Sequence, residues 1–315
     1  MSNNETITPI DWNELAQQYN LCEEIRDGWN VSAKTKRIWY VEMQLAKSLL
    51  DVCKRHNLIC VAAAGTLLGA IRHNGFIPWD NDMDFFMPRK DYNLLCNKYR
   101  NEFVSPYFLQ TAQSDNRWFR GHACLRDSRT TCISAVDKEN FECNRGIYID
   151  IFPLDAEPVN KPQIVQKLFR YRVRFLKALC FSLTYEKSYF SNKSKLNTAL
   201  LKTVGCICLL FSDRKKLDAK YHKVCSKYSR DISLPVRQLS TEFKRGDRTD
   251  YSYSYADIFT TEEHKFETMA LPVPVNYDKC LSIPFGNYLE LPPIDKRANN
   301  EEFMDPDMPY KNYSR

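Results

Sequence analysis

The chain has 315 residues, 43% of them hydrophobic and 27% charged, with nine glycines; this excludes a disordered or fibrous protein and allows one large domain or two small ones with a real core. The formal net charge of +6 hides a split: residues 161–230 hold 17 Lys and Arg against 3 Asp and Glu, net +14, leaving 28 against 36, net −8, elsewhere. The first twenty residues are polar and lack the apolar stretch of a secretory signal, and the twelve cysteines include no CxxC pair, so reduced, mostly buried thiols in a cytoplasmic protein are expected.

In chain order, Ile10–Arg26 reads as a short helix. Thr35–His56 reads as a longer one, because Ile38, Val41, Leu45, Leu49 and Val52 recur at three- and four-residue steps. Leu58–Ala63 is β-like, and Gly65–Arg72 resumes helical character. His73–Asp82, with Asn-Gly, Pro and several Asp, is a loop. Met83–Met87 is a strand, after which Pro88 opens a helix whose apolar face is Tyr92, Leu95, Cys96 and Tyr99. Gly121–Leu125, Thr130–Ala135 and Gly146–Phe152 read as strands, the last ended by Pro153. Strands alternating with helices predict an α/β (α+β) fold: a mixed sheet core flanked by helices, with a basic helical insertion. Lys161–Arg230 is that basic helical region, Phe243–Tyr255 is irregular, and Pro272–Pro293 mixes a strand, a helix and a Pro-rich turn. The expected organisation is an N-terminal helical extension over 1–34, a core over 35–160, the basic region over 161–235, and a C-terminal part over 236–315 completing the core. Ala199–Phe211 is the most apolar run, but at 13 residues with Lys202 inside it is a core helix rather than a membrane span.

Three features carry chemistry. Gly65-Thr66 follows an apolar run, where a small residue and a hydroxyl at a strand-to-helix turn let backbone N–H groups approach a phosphate. In Pro78-Trp79-Asp80-Asn81-Asp82-Met83-Asp84, a strand conformation puts Asp82 and Asp84 on one face. Two close carboxylates repel unless a cation lies between them, and hard oxygen ligands suit Mg²⁺ shared with substrate phosphates. The bland alternative is an acidic surface turn, but Asp84 is embedded among Met83, Phe85, Phe86 and Met87. In Tyr148-Ile149-Asp150-Ile151-Phe152 a lone Asp interrupts an apolar strand; it is either a buried carboxylate bonded to amides or Arg, or the third carboxylate of a metal site.

With those residues in view, the run Gly65–Asp84 resembles the signature of the LicD family, Gly146–Asp155 its second block, and Phe285–Pro293 its C-terminal block. The resemblance implies a nucleotidyltransferase-type core related to that of fukutin. It implies transfer of phosphocholine from CDP-choline to a hydroxyl of a cell-surface glycan, such as lipopolysaccharide or teichoic acid, or to its lipid-linked precursor, with release of CMP. Relatives use CDP-ribitol or similar donors. A nucleotidyltransferase releasing pyrophosphate, and a non-catalytic glycan-binding relic, are the competing readings. Phe266-Glu267 stands where the family tends to carry a Phe-Glu pair.

On this reading Asp82, Asp84 and Asp150 hold Mg²⁺ (or Mn²⁺), with Asp80 a further candidate ligand and Asp150 the candidate general base. Gly65, Thr66, Arg72 and Arg126 are candidates for binding donor phosphates. A quaternary ammonium favours an aromatic cage, for which Trp79, Trp118 and Phe119 are the candidates by context. The basic region suits the face of an anionic membrane, where a lipid-linked acceptor lies, or an anionic acceptor chain; no nucleic-acid-binding motif is present.

Overall fold

The computed structural model describes residues 8–134, 142–184, 203–204, 207, 213–240, 252–297 and 302–313. Most of the run Ala199–Phe211 read as a core helix, the end of the strand expected to close at Ala135, and most of the irregular stretch Phe243–Tyr255 lie outside these residues.

The expected N-terminal helix Ile10–Arg26 shrinks to α1 (Trp12–Leu15), capped by the Asp11 carboxylate, and is followed by a hairpin of β1 (Glu24–Arg26) and β2 (Trp29–Val31). Asp27 and Gly28 take positive φ at its tip, a turn geometry that helical periodicity cannot reveal. Then α2 (Ala33–Arg55) runs close to the expected span, its start capped by Ser32. Its buried face includes Ile38, Trp39, Glu42, Leu45, Leu49 and Val52.

Behind α2 lies a mixed sheet, in the order β3 (Val61–Ala62), β4 (Asp84–Pro88), β8 (Ile147–Ala156), β6 (Ala123–Asp127), β5 (Tyr107–Gln110). β4 and β8 are parallel, and the other pairs along this path are antiparallel. The helix α3 (Ala64–His73) follows β3, and α4 (Arg89–Asn97) follows β4. β7 (Thr131–Ile133) pairs with β12 (Phe303–Asp305), and β10 (Thr261–Phe266) with β11 (Met269–Pro274). The α+β expectation therefore holds, although β5 has no counterpart in the predicted elements.

Pro153 does not end β8; the strand continues to Ala156. The Asp150 N–H donates to Met83 O on the β4 side, so by alternation the nitrogen of residue 153 faces the opposite edge. There β6 pairs only as far as Ile151, and β9 (Val236–Gln238) starts pairing at Leu154. The missing N–H of Pro153 falls in that gap, where no ladder bond is lost.

The main core packs α2, α3 and the sheet together, with Leu45, Ala46, Leu49, Phe85, Met87, Leu125, Ile149 and Ile151 inaccessible to solvent. A second cluster forms where α5 (Gln163–Thr184) meets α6 (Arg214–Cys225), around Phe119, Phe169, Val173, Leu179 and Tyr221. α5 turns Ile164, Leu168 and Tyr171 outward among Lys167, Arg172 and Arg174. Among the described residues no helix is long and apolar enough to cross a membrane, and most of the described cysteines are buried free thiols.

Candidate active site

The two carboxylate motifs converge because β4 and β8 are neighbours and parallel. Asp84, the first residue of β4, lies directly opposite Asp150 in the register. The backbone of Asp84 is held on both sides: its N–H donates to Thr66 Oγ1 at 2.8 Å, and its carbonyl accepts from the Ala63 N–H at 2.9 Å. Thr66 is buried, so its hydroxyl ties the start of α3 to the start of β4.

Asp82 was expected on the same strand as Asp84, facing the same way by alternation. The strand begins only at Asp84, and Asp82 lies in the preceding irregular segment. What gathers the acidic residues is Gly65. A Cβ there would sit 2.9 Å from Asp80 Oδ2 and 4.0 Å from Asp82 Oδ1, so the absent side chain is the floor on which the two carboxylates rest. No side chain caps the N-terminus of α3, which leaves the positive end of that helix beside them.

The remaining glycines of this motif shape its loop. A Cβ at Gly69 would strike the Gly75 carbonyl at 2.4 Å, and one at Gly75 would strike the Glu267 carboxylate at 2.1 Å. Glu267, at the turn between β10 and β11, accepts from the Phe76 N–H at 3.1 Å and pairs with Arg26. The Phe266-Glu267 pair thus clamps the loop that delivers Asp80 and Asp82.

The electrostatics of the cluster are one-sided. Burial pushes the Asp84 carboxyl well above the usual carboxylate range, and Asp82, Asp150 and Asp80 push it further. Asp80 is raised by burial, against the opposing bond from the Asn81 N–H. Asp150 goes the other way: although burial raises it, His122, Arg120 and Cys124 outweigh that and bring it down to about 2. His122 Nε2 is 3.1 Å and Cys124 Sγ 2.7 Å from Asp150 Oδ1. Burial lowers the His122 pKa and keeps the Cys124 thiol protonated, so a neutral imidazole and a thiol donate to an ionised carboxylate.

His122, Cys124 and Asp150 bring one ligand atom each within 4.8 Å of one another, the one such group among the described residues. Asp82, Asp84 and Asp150 do not form such a group among the described residues, but Asp82, Asp150 and Asp80 all repel the Asp84 carboxylate, and carboxylate oxygens are chemically suited to a hard divalent cation such as Mg²⁺ or Mn²⁺.

Several candidates read from the sequence lie elsewhere. Arg126 is fully buried; it donates to Gln110 Oε1 and to the Gly146 carbonyl, and its guanidinium lies 4.5 Å from the centre of the Tyr148 ring. The expected strand stopped at Leu125, whereas β6 runs on to Asp127, and the paired sheet closes over the Arg126 head group. Arg72 donates to the carbonyls of Tyr288 and Glu290 at 2.8 and 3.3 Å, docking the C-terminal block onto the first. Trp118 and Phe119 are core residues, 1% and 2% exposed, in two different clusters. Trp79 is also buried, and cations already occupy its surroundings: Arg297 at 4.3 Å and Arg72 at 6.0 Å from its ring. The structure does not bring these three aromatics together as a cage.

The sequence reading missed Glu42, His122 and Arg120. His122 and Cys124 stand two apart on the approach to and along β6, the spacing that faces one side of a strand. Arg120, bonded to Tyr148 Oη and Ser134 Oγ at 2.9 Å each, is the arginine that lowers Asp150.

Comparison with known proteins finds sequence similarity over the same part of the chain. The family model described as LicD/FKTN/FKRP, nucleotidyltransferase domain, matches residues 57–190, which include Gly65, the acidic loop and β8. The chain is 28% identical over 270 residues to lipopolysaccharide cholinephosphotransferase LicD of Haemophilus influenzae, covering 82% of this chain and 94% of that protein. It is 33% identical over 144 residues to an uncharacterized protein of Rickettsia prowazekii (45% of this chain, 48% of that one). It is 30% identical over 103 residues to mannosyltransferase regulator 4 of Saccharomyces cerevisiae (31% of this chain, 8% of that one). The carboxylates gathered over Gly65 and across β4 and β8 thus stand within residues 57–190, the stretch that the LicD/FKTN/FKRP nucleotidyltransferase-domain model matches.

Proposed function

We propose that the chain is a LicD-type cholinephosphotransferase that moves phosphocholine from CDP-choline to a hydroxyl of a cell-surface glycan, or of its lipid-linked precursor, releasing CMP. The observation that carries this reading is the register of Asp84 opposite Asp150 on parallel strands, with Asp80 and Asp82 folded over Gly65 beside them. A relative that covers 82% of the chain carries the name lipopolysaccharide cholinephosphotransferase, which supports the phosphocholine part of this reading.

Asp82, Asp84 and Asp150 would hold Mg²⁺ or Mn²⁺, with Asp80 at hand. A bound divalent cation neutralises the donor diphosphate and polarises a phosphoryl oxygen. Asp150, kept ionised, accepts the proton of the acceptor hydroxyl. The bond from the acceptor oxygen to the choline-bearing phosphorus forms as the bond to the bridging oxygen breaks, and CMP leaves with that electron pair. Arg120 takes the charge-neutralising part first assigned to Arg126, because it acts on Asp150 and is not fully buried. The uncapped start of α3 adds a positive dipole end for the phosphates. The outward face of α5, apolar residues among Lys167, Arg172 and Arg174, supports contact with an anionic surface or acceptor.

The test is thermal unfolding with Mg²⁺, with and without CDP-choline, together with product analysis. Donor at about a hundred times its Kd adds about 2.7 kcal/mol to the folded state. The shift is expected in wild type and absent in the Asp82→Ala/Asp84→Ala variant, with CMP as the nucleotide product. A shift with CDP-ribitol in place of CDP-choline changes the donor, pyrophosphate among the products makes the protein a nucleotidyltransferase, and no shift with any cytidine diphosphate donor removes the proposal.

Gly65→Ala places a methyl group 2.9 Å from Asp80 Oδ2, so the acidic loop must move. Because displacement of about 1 Å at a reacting centre costs on the order of 10²-fold, turnover is expected to fall by that order with the unfolding transition retained. Steady-state kinetics alongside circular dichroism checks both halves.

A further inference from the structure

Glu42 lies outside the 57–190 match and outside every motif described above, yet it is a fully buried carboxylate on the α2 face that packs against the acidic loop. One turn earlier on that face, the Trp39 indole N–H donates to the Asp80 carbonyl at 2.9 Å, which fixes the height at which α2 meets residues 80–84. Neither oxygen of Glu42 has a hydrogen-bond partner among the described residues. After burial itself, the groups that act on it most strongly are Asp82, Asp80, Asp84 and Glu302, all of them carboxylates.

An unpaired carboxylate in a buried site is costly, and protonation does not resolve this one. A neutral Glu42 would still have an O–H and a carbonyl oxygen without partners. A cation answers both problems, since it pairs the charge and occupies the lone pairs. We propose that Glu42 contributes a carboxylate to the divalent-cation site of Asp82 and Asp84, reaching it from the α2 side. This rests on the reading that a cation binds there, and deepens it: the site is closed from behind by a helix that precedes the matched domain.

The test uses the full chain and Mn²⁺ alone, without donor, titrated by electron paramagnetic resonance of the free ion. Wild type, Glu42→Gln, Glu42→Met and Asp84→Asn are compared, together with their melting temperatures in chelator and at saturating Mn²⁺. Both Glu42 variants keep the side-chain volume and are expected to weaken Mn²⁺ binding at least about tenfold. They are also expected to melt above wild type in chelator, because buried repulsion is gone, and below it with Mn²⁺. Affinity within about twofold of wild type in either folded variant, while Asp84→Asn abolishes binding, overturns the role of Glu42 and leaves the Asp82/Asp84 site standing. Absence of Mn²⁺ binding in wild type overturns both.

Discussion

Asp84→Asn is expected to lower phosphocholine transfer by on the order of 10³-fold, about 4 kcal/mol of transition-state stabilisation, while the protein folds normally. The substitution is nearly isosteric and leaves the backbone bonds of residue 84 to Thr66 Oγ1 and Ala63 in place. It removes the charge that faces Asp150 across the β4–β8 register and that Asp82 and Asp80 also surround. With no cation bound, that charge is a net cost, because burial and three neighbouring carboxylates all oppose ionisation of Asp84. The asparagine variant should therefore melt at or above the wild-type temperature in chelator and gain nothing from Mg²⁺. Turnover of CDP-choline measured beside chelator and Mg²⁺ melting curves checks both signs. Retention of wild-type turnover would remove Asp84 from the chemistry, and a lower melting temperature in chelator would make it a structural carboxylate.

The second large effect concerns stability. Asp155 closes the second sequence block only five residues after Asp150, but an odd separation on a strand sends the two carboxylates to opposite faces. On its own face Asp155 is buried in a two-bond pair with Arg89, whose Nε donates to Oδ1 at 2.7 Å and whose Nη2 donates to Oδ2. The Ser229 hydroxyl donates to the same Oδ1 at 2.9 Å, and Arg89 Nη1 lies 3.0 Å from His222 Nδ1 on α6. This network ties β8 to the first residue of α4 and to the basic helical region. The Asp155 carboxylate raises the Arg89 pKa against the opposing effect of burial.

Asp155→Ala would leave that guanidinium buried without its counter-charge, and a loss of about 3–5 kcal/mol is expected in urea unfolding. Replacing both partners with apolar residues, Arg89→Met with Asp155→Leu, should recover most of the loss, because desolvation of two charges offsets much of what a buried pair gains. A single-variant loss below about 1 kcal/mol would show the pair to be solvated in practice.

Much of this protein is local enough to read from residue order. The three- and four-residue recurrence of apolar side chains determined α2, and the interruption of apolar strands by Asp84 and Asp150 marked the residues that meet at the site. Glu42 was legible too, since it stands four residues after Ile38 and three before Leu45 on the stripe that had to be buried; a carboxylate there signals a partner. The tertiary structure decided the rest. That β4 lies beside β8 and parallel to it comes from long-range pairing, which carries no period along the chain. The same pairing buried Arg126 and gave its donors to Gln110 and Gly146, while docking of the C-terminal block claimed Arg72. It also let Pro153 remain within β8, because its missing N–H falls between two partner strands. Residue type and spacing determine which side chains can do chemistry; whether a head group ends in water, in a cluster of like charges or against a backbone carbonyl depends on neighbours far away in the chain, and only the packed fold supplies them.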